Sequence, residues 1–193
     1  DISPEVLMKL KDITHVLPVD HSSLEFAAKL KDLLSATGNT YFSVMNAMDK
    51  YKSRIIFNEV TKVKIGNTYV NDSKDLMTFM SKFDIGVLKP TRGTASNKVI
   101  KVTHQNMDQP LIKNIIKDCK KDELIIEEFI EGDEYAFEGM LIDSKLSEFV
   151  VFEKPLVFVE PYFEESIYIT PSNLNNKIIE EAQNKIEKAC QKL

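Results

Sequence analysis

Several features that would direct the search for a function are missing from this sequence. No apolar run approaches the roughly 20 residues of a membrane helix, so we expect a soluble protein without a membrane partner. The net charge of −5 comes without a cluster of lysine or arginine, which argues against nucleic-acid binding. The two cysteines, Cys119 and Cys190, lie far apart and match no zinc spacing, which favours a reducing, cytoplasmic location.

What is present is an ordinary globular composition, with 193 residues of which 43% are hydrophobic and 28% are charged. This length allows one domain with a real core or two small lobes. The first part of the chain predicts a buried strand at Ile13–Val19, a helix opened by a capping box at residues 22–25, and Gly38 after it. A second helix is predicted at 41–52, and short strands over 53–71.

The second part of the chain is richer in strand patterns. Asp72-Ser73 is typical of a helix start, and two strands at 85–89 and 98–102 flank a polar loop as a hairpin. Further strands and helices are predicted at 124–130, 134–142 and 149–153 and at 114–120 and 174–193. The fold class that follows is α+β, with mixed helices and strands.

The most informative stretch is VLKPTRGTASNKVIKV, in which Lys89 ends a buried strand and a loop of small, hydroxyl-bearing residues follows. Backbone N–H groups in such a loop can hold phosphate oxygens, and a lysine adds a positive charge. A lysine on a buried strand also needs an anionic partner. A surface hairpin with a solvated Lys89 explains the same residues through turn chemistry alone.

A second stretch, IIEEFIEGDEY, runs from an apolar strand into two carboxylates, a glycine and a further strand. A backbone edge at this point can bond adenine through one C=O and one N–H group. Glu134, seven positions after Glu127, can accept hydrogen bonds from ribose hydroxyls. The alternative is a turn with acidic, solubilising residues.

In this order and about 38 positions apart, the two stretches resemble the ATP-grasp superfamily, in particular ligases similar to carbamoyl-phosphate synthase and biotin carboxylase. The segments THVLPVDHSSLEFAAKLKDLL and NAMDKYKSRIIF extend the resemblance over most of the chain. It implies an ATP-grasp fold with two sheet-containing lobes, preceded by the end of a Rossmann-like domain. The expected ranges are 1–38 for that preceding domain, 39–125 for the first lobe and 126–193 for the start of the second lobe.

The resemblance also implies roles for residues that match the family's motifs. Lys50 and Lys89 would contact the α- and β-phosphates of ATP. The loop residues that would close over the phosphates are Gly93, Thr94, Ala95 and Ser96, although the family usually has glycine where this chain has Ala95 and Lys98.

At the other end of the nucleotide, the resemblance places Glu127 beside the adenine amino group. The hinge strand Glu128, Phe129 and Ile130 would read the adenine edge through the Glu128 carbonyl and the Ile130 N–H. Glu134 would hold the ribose hydroxyls.

The implied activity is that of an ATP-dependent ligase that joins a carboxylate to an amine, or less often a thiol, through an acyl phosphate. Its substrates would be small molecules, ATP and Mg²⁺ would be required, and a homodimer is one option. The family's metal ligands would lie beyond Leu193, so this chain is expected to hold no metal ligand or confident catalytic residue and to turn over little alone. A non-catalytic nucleotide-binding module and an interaction domain are the alternatives.

Other polar residues have mainly structural interpretations. His15, in an apolar strand, is expected to be a core histidine, and His104 is expected to be exposed. Asp20-His21 follow a strand end, where α/β folds often bind ligands. The resemblance places Glu153-Lys154 toward the acceptor substrate.

Overall fold

The computed structural model describes residues 2–94, 96–155 and 167–193, together with the backbone of residues 158–159 and 162–163. The chain divides into two compact units, residues 1–49 with Leu193 and residues 50–192. The three ranges expected from the family resemblance remain predictions. Within the described residues, no helix is both long and apolar enough to cross a membrane.

The first unit is helical. Helix α1 spans Pro4–Lys9, a 3-10 turn covers His21–Ser23, α2 spans Leu24–Leu34 and α3 spans Tyr41–Met48. The carboxylate of Asp20 accepts a hydrogen bond from the backbone N–H of Ser23 at 2.8 Å. Asp20, rather than Ser22, therefore caps the segment that leads into α2.

The buried strand expected at Ile13–Val19 is wrong. His15 makes one isolated bridge, parallel to Thr37, while Leu17 and Val19 are 81% and 93% exposed. A strand needs neighbours along its length to satisfy its backbone groups, and the described residues supply a neighbour at one position. His15 is exposed, with Nδ1 2.9 Å from the hydroxyl oxygen of Thr14, so its expected place in a core is also wrong.

The second unit alternates helices and strands. They are α4 (Lys50–Thr61), β1 (Asn67–Tyr69), α5 (Ser73–Met80), β2 (Ile85–Pro90), β3 (Ile100–Thr103), α6 (Pro110–Asp118), β4 (Leu124–Glu128), β5 (Glu134–Ile142), β6 (Lys145–Lys154), β7 (Phe158–Val159), β8 (Tyr162–Phe163) and α7 (Asn176–Cys190). The hairpin of β2 and β3 and the helix capped by Asp72 are confirmed.

Helix α4 corrects the expected strands over 53–71, of which β1 alone is present in that range. The run of β-branched and aromatic residues from Ile55 to Phe57 favours a strand locally. Such preferences are weak, and tertiary packing often outweighs them. The helix expected over 41–52 is divided at Asp49, whose backbone is extended.

The strands form two antiparallel sheets. The larger has the order β1-β4-β2-β3-β8-β7, and the smaller is the hairpin of β5 and β6. Asp143 and Ser144 form the expected turn of that hairpin, both with positive φ. A register shift between Met140 and Leu141 then sets Glu134 opposite Lys154.

One face of the larger sheet carries the hydrophobic core. Leu88 of β2 and Ile126 of β4 are cross-strand partners and are fully buried on this face. They form one cluster with the apolar side chains of α5 and α6, which are Leu76, Phe79, Met80, Ile112, Ile115 and Ile116. Because side chains alternate along a strand, the intervening Lys89 and Glu127 lie on the opposite face.

Helix α7 packs along β6 and α4. Glu187 accepts a hydrogen bond from the backbone N–H of Leu146 at 3.0 Å, and the Gln191 side chain donates to the carbonyl of Ser144 at 2.8 Å. Lys192 forms an ion pair with Glu59 of α4. The expected amphipathic C-terminal helix is thus confirmed as a packed element.

Candidate functional site

The polar face of the larger sheet brings Lys89 and Glu127 together. Lys89 is the cross-strand partner of Ile125, and Glu127 follows two positions later, so both side chains lie on one face. The ammonium of Lys89 donates to Glu127 Oε2 at 2.5 Å, with the two side chains 18% and 5% exposed. The anionic partner expected for Lys89 is therefore Glu127.

Arg54 of α4 also binds Glu127. Its Nε donates to Glu127 Oε1 at 3.0 Å and its Nη2 to Oε2 at 3.2 Å, in the bidentate arrangement that suits a guanidinium. Sequence reasoning missed Arg54 because residues 53–71 were expected to form strands and Glu127 lies 73 positions later. A helical interpretation would have placed Arg54 one turn after Lys50, on the same helix face.

The three charges are not balanced. Burial alone would raise the pKa of Glu127, but the hydrogen bonds from Arg54 and the charge of Lys89 outweigh that effect and hold the pKa below its ordinary value. Glu127 is therefore ionised at neutral pH. Two cations and one carboxylate leave a surplus of one positive charge on this face, which favours an anionic ligand.

The lowered pKa of Glu127 predicts a pH dependence of stability. Between the folded and the unfolded pKa, the unfolded chain binds more protons, so the free energy of unfolding rises with pH in that window. The contribution is fully present well above the ordinary glutamate pKa and is lost as the pH falls through the lower pKa of the folded state. Urea unfolding of the wild type and of Glu127→Gln, from neutral to acidic pH, measures it.

The stability lost on acidification should be smaller in Glu127→Gln than in the wild type, because the variant lacks the contribution of Glu127. Some loss remains, since the other carboxylates titrate in both proteins. Parallel curves for the two proteins would show that Glu127 titrates alike in the folded and unfolded chain, against this prediction.

β4 pairs with β2 along one edge and with β1 along the other, where Asn67 lies opposite Glu127. The backbone N–H of Glu128 donates to the carbonyl of Gly66 at 2.8 Å, which makes Asn67 and Glu127 a pair of the non-hydrogen-bonded kind. In such pairs the Cα atoms lie only about 4.5 Å apart and the side chains are close. Within the described residues, the buried Nδ2 of Asn67 has no hydrogen-bond partner. The sequence predicts a turn at Gly66-Asn67, whereas Asn67 begins β1, so the pattern gave no indication of its place beside Glu127.

Helix α4 contacts both this sheet and the loop after β2. The ring of Tyr51 stacks on Tyr69 of β1, with centroids 4.1 Å apart. The backbone N–H of Lys50 donates to the carbonyl of Thr91 at 2.8 Å, and its ammonium donates to the carbonyl of Gly93 at 2.8 Å. Lys50 is therefore placed at the start of the expected phosphate loop, while its contact with a phosphate remains a prediction.

The loop itself uses left-handed backbone conformations. Gly93, Ser96 and Lys98 have φ of 134°, 51° and 58°. Glycine adopts such angles freely, whereas other residues do so at a cost. Lys98, where the family usually has glycine, thus takes a backbone conformation that glycine favours. Ala95 lies outside the described residues, and the phosphate contacts expected of Gly93, Thr94, Ala95 and Ser96 remain untested.

The expected hinge strand, residues 128–130, leaves the sheet at Glu128, where β4 ends, and is held by one side-chain and one backbone hydrogen bond. The carboxylate of Glu128 accepts a hydrogen bond from the backbone N–H of Gly66 at 3.2 Å. The backbone N–H of Phe129 donates to the carbonyl of Ile85, the first residue of β2, at 3.2 Å. The ammonium of Lys101 lies 5.2 Å from the centroid of the Phe129 ring. Ile130, which follows, is 59% exposed. The adenine contacts expected here remain predictions.

Glu134 lies on the smaller sheet, where it forms an ion pair with Lys154. The ammonium of Lys154 also lies 5.5 Å from the centroid of the Tyr168 ring. Glu134 and Lys89 therefore lie on different sheets and have different partners. A ribose contact by Glu134, like a substrate contact by Glu153 and Lys154, remains a prediction.

The other candidate residues include His104 and the two cysteines. His104 is exposed as expected, with Nε2 3.8 Å from Asp84. Burial raises the pKa of the thiols of Cys119 and Cys190, which makes them poor nucleophiles at neutral pH. In the part of the chain that the structure describes, no group of three His, Cys, Asp or Glu residues could hold a metal. The described side chains therefore supply no such ligand set for Mg²⁺.

Comparisons with known proteins bear on the family and the fold of the chain. The family model for the ATP-grasp domain matches residues 83–193, more than half of the chain. Among curated proteins, no significant match is found.

Among solved structures, the L-amino acid ligase from Bacillus licheniformis has a TM-score of 0.72 at 19% identity, covering 97% of this chain and 44% of that protein. The biotin carboxylase domain of the Hydrogenobacter thermophilus 2-oxoglutarate carboxylase, a dimer in complex with MgADP and bicarbonate, gives 0.72 at 14% identity, covering 97% and 44%. D-alanine–D-alanine ligase from Bacillus anthracis gives 0.66 at 18% identity, covering 100% and 65%.

The chain spans less than half of the length of the first two enzymes, and at these identities the structural similarity shows the fold alone. The expected ATP-grasp fold is confirmed, whereas the Rossmann-like domain before it remains a prediction. With a family match over more than half its length and the fold of these enzymes, the chain belongs to the ATP-grasp family.

Proposed function

We propose that this chain is the nucleotide-binding part of an ATP-dependent ligase that joins a carboxylate to an amine, or to a thiol. The observation that supports this most is the group of Arg54, Glu127 and Lys89, which leaves one surplus positive charge on a largely buried sheet face. A polyphosphate supplies the matching negative charge, and interactions between charges are stronger away from water.

In this proposal Lys89 and Lys50 contact the α- and β-phosphates. The long, flexible side chain of Lys89 allows its ammonium to turn from Glu127 to a phosphate oxygen. Lys50 stands at the loop that starts at Thr91, so its ammonium can serve the same group of oxygens. Donors from Gly93, Thr94, Ala95 and Ser96 close over the phosphates.

The adenosine end involves both sheets. Glu127 accepts a hydrogen bond from the adenine amino group at a position that Arg54 leaves open, while the Glu128 carbonyl and the Ile130 N–H bond the adenine edge beside Phe129. The ribose hydroxyls donate to Glu134. The ion pair with Lys154 orients the Glu134 carboxylate, and hydrogen bonds to a charged acceptor are stronger than those between neutral groups.

The reaction proceeds in two transfers. A substrate carboxylate oxygen attacks the γ-phosphorus of ATP, a P–O bond to ADP breaks, and an acyl phosphate forms. The amine then attacks the acyl carbon and loses a proton, and inorganic phosphate leaves with the C–O electron pair. The lysines stabilise negative charge on the phosphates, and a closed loop keeps water from the acyl phosphate.

The partners follow from this chemistry. They are ATP, a small carboxylate and a small amine. The proposed location of the enzyme is the cytoplasm. One of the similar structures is described as a dimer, and we extend a homodimer to this chain as part of the proposal. Light scattering measures the oligomeric state directly.

The proposed function predicts that the chain binds ADP and that Glu134→Ala weakens this binding about tenfold, the loss of one or two hydrogen bonds to a charged group. Binding of free adenine should be unchanged, because adenine has no ribose. Calorimetric titration of the wild type and the variant with ADP and with adenine measures these affinities. Glu138→Ala removes an exposed carboxylate from the same strand and serves as the matched control.

Binding of ADP with little ligase turnover is the expected result for the chain alone. If the wild type binds no adenine nucleotide, the proposed function is wrong and an interaction domain takes its place. If Glu134→Ala weakens adenine as much as ADP, the ribose assignment is wrong while nucleotide binding stands.

A further inference from the structure

The unused amide of Asn67 has no explanation in the roles assigned above. Its Nδ2 is buried without an acceptor, and its cross-strand partner is the carboxylate at the centre of the charged group. A buried donor that is left unpaired destabilises the folded state, so such groups are rare in proteins and call for a reason. The nearest chemical reason is Glu127 itself.

The acceptor positions of Glu127 are nearly full. A carboxylate offers about four lone-pair positions, of which Arg54 takes two and Lys89 takes one. A nucleotide that draws Lys89 to its phosphates vacates one position on Oε2, and adenine uses only one of the two positions then open. The carboxylate is 5% exposed, so water cannot readily fill the remaining position.

We propose that Asn67 is a positioning residue, whose amide replaces Lys89 at Glu127 when Lys89 turns to a phosphate of the nucleotide. This inference rests on the proposed function, because it needs an anionic group that competes with Glu127 for the lysine. The exchange keeps the buried carboxylate satisfied in both states. The unused donor of Asn67 is thus held ready for the bound state.

Arg54 cannot take this part. Its guanidinium is a rigid, planar fork that already makes both of its bonds to Glu127, and it stays in place as the constant partner. Asn67 stands on the opposite flank of Glu127 from β2, the strand that carries Lys89. Its amide can therefore approach Glu127 without displacing the lysine's own strand.

The test compares ADP with adenosine, which lacks the phosphates. Asn67→Ala should weaken ADP binding about tenfold, or about 1.4 kcal/mol. Adenosine binding should be unchanged, because Lys89 then stays on Glu127. Asn184→Ala, an exposed asparagine of α7, is the matched control and should change neither affinity.

Stability of the protein without nucleotide separates this role from a merely structural one. Asn67→Ala removes an unsatisfied buried donor, so the urea midpoint of the free protein should stay the same or rise. A structural role predicts a lower midpoint and equal losses for adenosine and ADP, and that result would overturn the inference.

A Glu127→Gln background supplies the second variant. With no carboxylate to leave unpaired, Asn67→Ala in this background should no longer change the ratio of the adenosine and ADP dissociation constants. A tenfold change that persists there would assign Asn67 a direct phosphate contact and contradict the exchange. If the wild type binds neither ligand, the proposed function fails; if it binds ADP and Asn67→Ala binds equally well, the exchange alone fails.

Discussion

Replacing Glu127 by alanine should lower the free energy of unfolding by about 3–5 kcal/mol, the usual cost of removing one partner from a buried ion pair. The change leaves Arg54 and Lys89, whose side chains are 25% and 18% exposed, next to each other without a counter-charge. Two like charges in a site with little water repel one another and lose solvation. Urea denaturation followed by circular dichroism measures the difference.

Two controls separate charge from packing. Glu131→Ala removes an exposed carboxylate near the same strand end and should cost under about 0.5 kcal/mol. The triple variant Arg54→Met, Lys89→Met, Glu127→Leu removes all three charges and should recover most of the loss, because an apolar replacement leaves no charge unpaired. A triple variant as unstable as Glu127→Ala would show that packing, not charge, sets the effect.

Replacing Lys89 by methionine should weaken ADP binding about 100-fold, or about 2.7 kcal/mol. Methionine keeps much of the side-chain volume and removes the ammonium, so the phosphates lose a charge-assisted contact of the kind that contributes most in dry sites. The surplus positive charge on the sheet face disappears at the same time. Calorimetric titration with ADP and adenosine measures both effects.

Adenosine affinity should hardly change in Lys89→Met, since adenosine carries no phosphate. Lys113→Met, on α6 behind the opposite face of the sheet, is the matched control and should leave ADP binding as in the wild type. Equal losses for ADP and adenosine would place Lys89 at the base rather than at the phosphates. No loss for either ligand would remove Lys89 from the site.

The second part of the fold could be predicted from the sequence because its signals are local. Short apolar runs mark β2 and β4, Asp72 caps α5, and Asp143 lies in the turn between β5 and β6. The strand expected at Ile13–Val19 failed for the converse reason. Its apolar run has the composition of a strand, but pairing depends on neighbours that a local pattern cannot specify.

Only those residues of the candidate site that belong to a recognisable sequence motif could be predicted. Lys89 and Glu127 were recognised separately, and the alternation of side chains on paired strands places them on one face. The contact of Arg54 depends on how α4 packs against the sheet, and that of Asn67 depends on the register between β1 and β4. Packing and register are tertiary properties, so neither residue carried a signal of its own.

The partner of Glu134 illustrates how small a structural detail can decide a contact. If the pairing of β5 and β6 continued regularly from Ile142 and Lys145, Glu134 would lie opposite Glu153. Two like charges directly opposite each other repel. An extra residue in β6, Ser147, lies opposite the step between Met140 and Leu141, shifts the register by one position and presents Lys154 instead. No turn signal in the sequence indicates this extra residue.

Lys50 and Arg54 lie on one continuous helix, α4, with their Cα atoms about 6 Å apart along the axis. Deleting one residue between them would turn one side chain by about 100° around the helix, away from its partner. Single amino-acid exchanges at the intervening positions leave that spacing intact. The length of this segment is therefore under tighter constraint than its composition.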